Sequence, residues 1–180
     1  MSNLFNDIFK NIETPIFIKI GKVFNLPENK IKDFSKDSIQ ILLGGLMKNI
    51  NNSKDAKKII EILEKDHLNN LENIDIILNK FIEKKPEKIL EHIFNDKKNL
   101  VIKKISKLNK ININITEEVL EKITCLFMGS LAQTISRTNM NGDVFLKVLE
   151  MAYESDLKNN KILSILEEKK KFNFFNLFKK

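Results

Sequence analysis

The chain of 180 residues has no tryptophan, one cysteine, three prolines and five glycines. A single cysteine excludes a disulfide within one chain and indicates a reducing compartment. So few glycines and prolines favour helices over the many turns of a β-sandwich or barrel. Because Cys125 lies in an apolar run, we predict a small core residue rather than a reactive thiol.

Long hydrophobic runs are also missing. No stretch approaches the roughly 20 apolar residues of a membrane span, and polar residues interrupt the first apolar stretch, so no signal peptide is expected. The composition, 42% hydrophobic and 31% charged, is typical of a soluble protein with a real core. These features predict a cytoplasmic protein, with peripheral contact at the inner face of the membrane left open.

Arginine is almost absent, since Arg137 is the only one among 31 basic residues. The net charge is +7, but residues 169–180 supply five lysines and no acid, which leaves 26 basic and 24 acidic groups and a net charge of +2 in residues 1–168. Arginine provides the planar fork that reads guanine and phosphate, so its scarcity argues against sequence-specific nucleic-acid binding. Non-specific binding through lysine-rich surfaces stays open as an alternative.

Two apolar segments match at a constant offset, residues 41–46 and residues 126–131. We interpret them as an internal repeat. The sequence thus predicts one helical domain, residues 1–168, built from two pseudo-repeated halves of about 1–95 and 96–168 and followed by a basic aromatic tail, residues 169–180.

Each repeated segment carries a pair of small residues. Glycine inside a helix costs about 1 kcal/mol relative to alanine, so the two successive glycines of the first segment indicate either a helix end or close approach of a neighbouring helix. The four helix-compatible residues that follow, 46–49, favour close approach. The predicted helix-packing residues are Gly44, Gly45, Gly129 and Ser130.

Apolar residues recur at helical spacing along the chain. This periodicity predicts an all-α bundle of about eight to ten helices. The alternating residues 111–115 find no second strand to pair with and are interpreted as a connector. In residues 97–109 we place Leu100, Val101, Ile105 and Leu108 on one buried face.

The helices are predicted in the following order along the chain. In the first half they are residues 2–12, Pro15 to about Asn25, a helix opened by Pro27, a helix capped by Ser35 or Asp37 that runs to Met47, a helix capped by Ser53, residues 71–82 and a short helix that begins at Pro86. In the second half they are residues 97–109, residues 116–136, a helix capped by Asp143 and residues 159–170.

Several strings resemble one known family. They are residues 42–49, residues 64–67 with the segment up to 78, residues 89–97 and residues 126–131. In order and spacing they are similar to the YidB-like bacterial proteins, domain of unknown function 937, over roughly residues 1–140. The family often has glycine where this chain has Asn95, which also tolerates a left-handed helix end. The resemblance implies an all-helical domain. It implies no activity, substrate or catalytic residue.

Residues that could carry chemistry are few. His67 and His92 lie beside carboxylates, but they lack the spacing of a metal-binding motif, and Cys125 has no histidine near it in the sequence. No nucleophile elbow or phosphate-binding loop is present. We therefore expect no catalytic residue, no metal and no cofactor, and we predict that the protein is not an enzyme.

The tail combines lysines with phenylalanines on one arc of a helical wheel. Such a segment can lie in an anionic membrane interface, or its aromatic side chains can dock on the domain's own core or on a second copy. The leading hypothesis is a non-catalytic interaction or scaffold protein that binds another protein or itself. The alternatives are a peripheral membrane adaptor and a non-specific nucleic-acid-associated protein. The tail residues predicted to contact a membrane or a partner are Phe172, Phe174, Phe175, Leu177, Phe178, Lys179 and Lys180.

Overall fold

The computed structural model describes residues 14–65 and 86–154, together with the single positions 8, 12 and 166. Every regular element in these ranges is a helix, which confirms the all-α prediction. The α-helices are α1 (Thr14–Val23), α2 (Glu28–Asn49), α3 (Ser53–Lys65), α4 (Pro86–Phe94), α5 (Lys98–Asn109), α6 (Ile113–Thr138) and α7 (Gly142–Ala152), and a 3-10 turn, Asn95–Lys97, joins α4 to α5.

These seven α-helices are those of the described ranges, so the expected total of eight to ten stays a prediction. The predicted helix over 71–82 lies outside the described residues, as do most residues of those predicted over 2–12 and 159–170. Of the helices that the structure covers, α2 differs most from expectation.

Helix α2 runs without a break where the sequence suggested a second helix start. The predicted caps Ser35 and Asp37 are both inside it, so this prediction was wrong. The buried hydroxyl of Ser35 donates to the carbonyl of Ile31 one turn earlier, at 2.7 Å. Because serine can satisfy its hydroxyl in this way within a helix, it does not have to mark a helix start.

Asparagines, rather than the expected serine and aspartate, cap three helices. The side chain of Asn52 accepts from the backbone N–H of Asp55 at 3.0 Å, and Asn141 accepts from that of Val144 at 3.0 Å. Ser53 and Asp143 are therefore not the caps of α3 and α7. Asparagine is as good an N-cap as either.

The third asparagine cap lies within residues 111–115, which the sequence suggested were an extended connector. The side chain of Asn112 accepts from the backbone N–H of Asn114 at 2.9 Å, and α6 begins at Ile113. The alternating segment is therefore mostly the first turn of α6 rather than a connector. Asn95, by contrast, adopts the left-handed conformation expected for it, with φ 52°.

Helix α6 lies at the centre of the fold. It packs against α2, α3, α4 and α5, while α1 packs on α2 and α7 packs on α3. Its segment from Ile123 to Ala132 is buried at every position. Helices from both predicted halves therefore share one hydrophobic core.

The two matching segments lie in α2 and α6, which pack against each other. All residues of 41–46 and of 126–131 are buried. This placement is compatible with a duplication, but the pseudo-repeat and the division into halves stay predictions. Nowhere in the described part of the chain is a helix both long and apolar enough to cross a bilayer.

Helix α5 corrects another prediction. Its buried residues are Val101, Ile102 and Ile105, whereas Leu100 and Leu108 are 50% and 56% exposed. Since successive helical residues are rotated by about 100°, Leu100 points about 140° away from Ile105. Both leucines were wrongly assigned to the buried face.

Candidate functional site

Gly45 lies where α2 meets α4. A Cβ placed on Gly45 would overlap Cγ2 of Ile93 and lie 2.9 Å from Cε1 of Phe94, so the two helices approach at a distance that only glycine permits. The buried amide of Asn49 donates to the carbonyls of Gly45 at 2.9 Å and of Ile93 at 3.1 Å. This cross-helix bond fixes α4 against the end of α2.

Ser130, in the second repeated segment, is fully buried and contacts the beginning of the chain. Its hydroxyl donates to the carbonyl of Ile8 at 3.0 Å. Gly44 and Gly129, which directly precede Gly45 and Ser130 in the sequence, are also buried. The predicted packing residues thus lie inside the core rather than at a surface that a ligand could reach.

The Ser130 contact carries a prediction. Replacing Ser130 with alanine should lower the free energy of unfolding by about 1 kcal/mol, because the buried carbonyl of Ile8 loses one of its two donors and keeps the backbone N–H of Ile12, at 3.2 Å. Urea denaturation followed by circular dichroism measures this change. As a control, Ser136→Ala changes an exposed serine of the same helix and should have little effect; equal losses from both variants would contradict the assignment.

Cys125 is buried among the core residues of α6. Burial raises the pKa of its thiol to about 12. Since the thiolate is the reactive form of cysteine, this environment suits a core residue and opposes nucleophilic chemistry.

Charged groups lie near the α4, α5 and α6 junction. Lys98 Nζ lies 3.0 Å from a carboxylate oxygen of Glu117. Partial burial raises the pKa of Glu121; Lys98 opposes that effect, while Glu117 and Glu87 add to it. The cluster joins α5 to α6 through one well-formed ion pair.

The structure describes one of the two histidines. His92 is half-buried on α4, with its Nδ1 2.7 Å from the carbonyl of Lys88, and His67 lies outside the described residues. Among the residues that are described, no three His, Cys, Asp or Glu side chains are grouped to hold a metal ion.

The N-terminus of α7 approaches the backbone of α3 closely. A Cβ on Gly142 would lie 2.5 Å from the carbonyl oxygen of Ser53 and 3.0 Å from the backbone nitrogen of Lys57. At the other end of α7, the ammonium of Lys48 on α2 lies 5.1 Å from the ring centre of Tyr153, a cation–π distance. Both ends of α7 are thereby fixed to the body of the protein.

The exposed side of α7 includes an apolar strip. Phe145, Leu149 and Ala152 face the core, while Val144 is 45% exposed and Met151 52% exposed. Val148 is half-buried between them and packs against the core. We call Val144, Val148 and Met151 the α7 stripe.

The outer side of α5 is basic. Lys103, Lys104 and Lys107 are exposed there together with Leu100, and Leu108 is exposed at the border of this side, near the end of the helix. We call these five residues the lysine–leucine face. The predicted contact residues of the tail, from Phe172 to Lys180, lie outside the described residues, so their role stays a prediction.

The helices of the described residues define an all-α protein, and the two surfaces named above are faces of helices. The sequence model of one family, bacterial proteins of unknown function (DUF937), matches residues 6–134. The match covers more than half of the chain, and the protein belongs to this family, as its local strings indicated. No curated protein and no solved structure is similar enough to match.

The family match contains α1 to α5 and ends within α6, before α7 begins. The lysine–leucine face therefore lies within the region that the family model matches, and the α7 stripe lies beyond that region. Sequence reasoning missed both surfaces. A signal for the α5 face was present, since Lys103, Lys104 and Lys107 fall on the same side of a helical wheel as Leu100.

Proposed function

We propose that this protein is a non-catalytic interaction module that binds a protein partner through the α7 stripe. The observation that carries the proposal is the exposure of Val144 and Met151 on one face of a helix that is fixed at both ends. Large apolar side chains grouped in this way favour a binding surface over a solvated helix face.

The spacing of the α7 stripe suits helix recognition. Val144, Val148 and Met151 are at positions i, i+4 and i+7, the pattern by which a helix presents anchors to an apolar groove or to another helix. Methionine adapts its shape to such contacts. Because the opposite face of α7 is held in the core, the stripe needs little rearrangement to bind.

The border of the stripe favours a protein over a lipid or nucleic-acid surface. Asp143, Lys147 and Glu150 are exposed beside it, so both signs of charge are present within one helix. Protein interfaces commonly have a polar rim of this kind around an apolar centre. Two carboxylates there would repel an anionic surface.

We expect Val144→Ser combined with Met151→Ser to abolish capture of the partner. The control is Asp143→Ser with Glu150→Ser, which changes two exposed residues of the same helix at the same spacing. Each purified protein, with wild type, is used to retrieve binding proteins from the native cells, and the retained proteins are quantified by mass spectrometry.

A protein retained by wild type and by the control, but lost with the stripe variant, supports the proposal. Equal retention by all three proteins would contradict it. Binding to a second copy of this chain is tested separately. If wild type is a dimer that the stripe variant converts to a monomer, the α7 stripe serves self-association and the partner is another copy of this chain. The tail as a membrane contact and the lysines as non-specific nucleic-acid contacts remain the alternative functions.

A further inference from the structure

We propose that the lysine–leucine face of α5 binds the surface of an anionic lipid bilayer. This surface is separate from the α7 stripe and does not depend on it. If both proposals hold, the protein is an adaptor that brings its partner to the membrane.

Charge is distributed unevenly along the chain. Residues 97–116 contain six lysines and no carboxylate. Outside this segment and the tail, residues 169–180, the chain has 20 basic and 24 acidic groups, a net charge of −4. A general excess of lysine would not leave the rest of the protein acidic, so the positive charge is concentrated at α5 and in the tail.

The structure places this charge on the outside of α5. Lys103, Lys104 and Lys107 are exposed, and the ion pairs of the described residues do not involve them. Lys98, by contrast, is mostly buried and pairs with Glu117 at 3.0 Å. The three lysines thus present their charge to a partner outside the protein.

Leu100 indicates the kind of partner. It lies three and four positions before Lys103 and Lys104, so these side chains are neighbours on the helix surface, and Leu108 is exposed one turn after Lys104. At a bilayer surface leucine can enter the interface while the lysine stems lie along it and their ammonium groups reach the headgroup phosphates. A nucleic-acid backbone would attract the lysines but has no place for the leucines.

The face is held rigidly. Asn109 on α5 donates to a carboxylate oxygen of Asp37 on α2 at 3.0 Å. The hydroxyl of Ser106 donates to the carbonyl of Ile111 at 2.6 Å, just before α6. With the Lys98–Glu117 pair, these contacts fix α5 on its inner side, so the outer side can bind without local unfolding.

The test measures sedimentation of the full-length protein with lipid vesicles. One set of vesicles contains phosphatidylglycerol and phosphatidylethanolamine, and the other contains only phosphatidylcholine. We expect binding to the anionic set alone, decreasing with added salt. Lys104→Glu combined with Lys107→Glu should reduce it at least 30-fold, because each lysine near an anionic surface contributes about 1 kcal/mol.

The matched control is Lys19→Glu with Lys22→Glu, two exposed lysines of α1 at the same spacing, which changes the net charge equally and should bind nearly as wild type does. Equal losses from both pairs would show that net charge alone matters and would overturn the proposal. So would undiminished binding of the α5 variant, which would assign the contact to another surface such as the tail.

Leu100→Asn with Leu108→Asn tests the apolar contribution. Both residues are exposed, so helical circular dichroism should not change, while vesicle binding should fall several-fold. Unchanged vesicle binding would mean that the leucines do not enter the interface, and the proposed mode of binding would be wrong. Retention on DNA at low salt without any sedimentation with vesicles would overturn the proposal in favour of nucleic acid.

Discussion

Replacing Gly45 with valine should destabilise the protein by about 3 kcal/mol, near the upper end of the usual cost of overpacking a core. A Cβ at this position already overlaps Ile93 and approaches Phe94. Ile93 cannot withdraw easily, because the Asn49 amide holds its backbone carbonyl against α2 at 3.1 Å. The free energy of unfolding from urea titration measures the loss.

Two further variants assign this loss to the contact. Lys36→Val places the same β-branched residue at an exposed position of α2, where only its helix propensity acts, and should cost less than about 1 kcal/mol. Gly45→Ala should cost less in an Ile93→Ala background than in wild type, because the alanine at 93 removes the overlapping methyl group. If the two mutations were additive, α2 and α4 would not approach each other as described.

The thiol of Cys125 should react with a disulfide reagent about a thousandfold more slowly in the native protein than in denaturant. Burial raises its pKa from 9.0 to about 12, which lowers the thiolate fraction at neutral pH by about that factor. The absorbance of the released thiol follows the reaction, and the sequence has one cysteine, so no other residue contributes.

Adding denaturant supplies the control for Cys125. The same reagent should modify one thiol per chain quickly once the protein unfolds. Gly45→Val should shorten the native reaction time because it raises the unfolded fraction. Fast modification of the native wild-type protein would place Cys125 at an accessible surface and contradict its position in the core.

Local sequence signals predicted the interior of the fold well. Apolar spacing identified the all-α class, Pro86 marked the start of α4, and the glycine pair indicated a close helix approach that the surroundings of Gly45 display. The apolar spacing and the proline act on neighbours within one or two turns, whereas which helix approaches Gly45 depends on the tertiary fold. Only the local information is present in the sequence itself.

The errors arose where several local solutions were acceptable. Ser35 can cap a helix or bond back within one, and the structure uses the second option. Leu100 and Leu108 were assigned to the core because apolar residues usually lie there. Leu100 points away from the arc that Val101, Ile102 and Ile105 occupy. Leu108 points in nearly the same direction as Val101, but it lies one residue before the end of α5 and is 56% exposed.

The α7 stripe was not predictable from residue type alone. Val144 and Met151 look like core residues in the sequence, and their exposure depends on how α7 packs against α3 through Gly142. That packing joins residues about 90 positions apart in the chain, between Ser53 and Gly142. A tertiary contact of this kind has no local sequence signature.

Site-specific photo-crosslinking in native cells tests the proposed function most directly. A photoreactive amino acid is introduced in turn at Val144, Met151, Asp143 and Glu150, all exposed on α7. The proposal predicts a crosslink to one protein from Val144 and Met151 and little from Asp143 and Glu150. Crosslinks from the acidic positions alone, or none from any of the four, would show that the α7 stripe is not a binding surface.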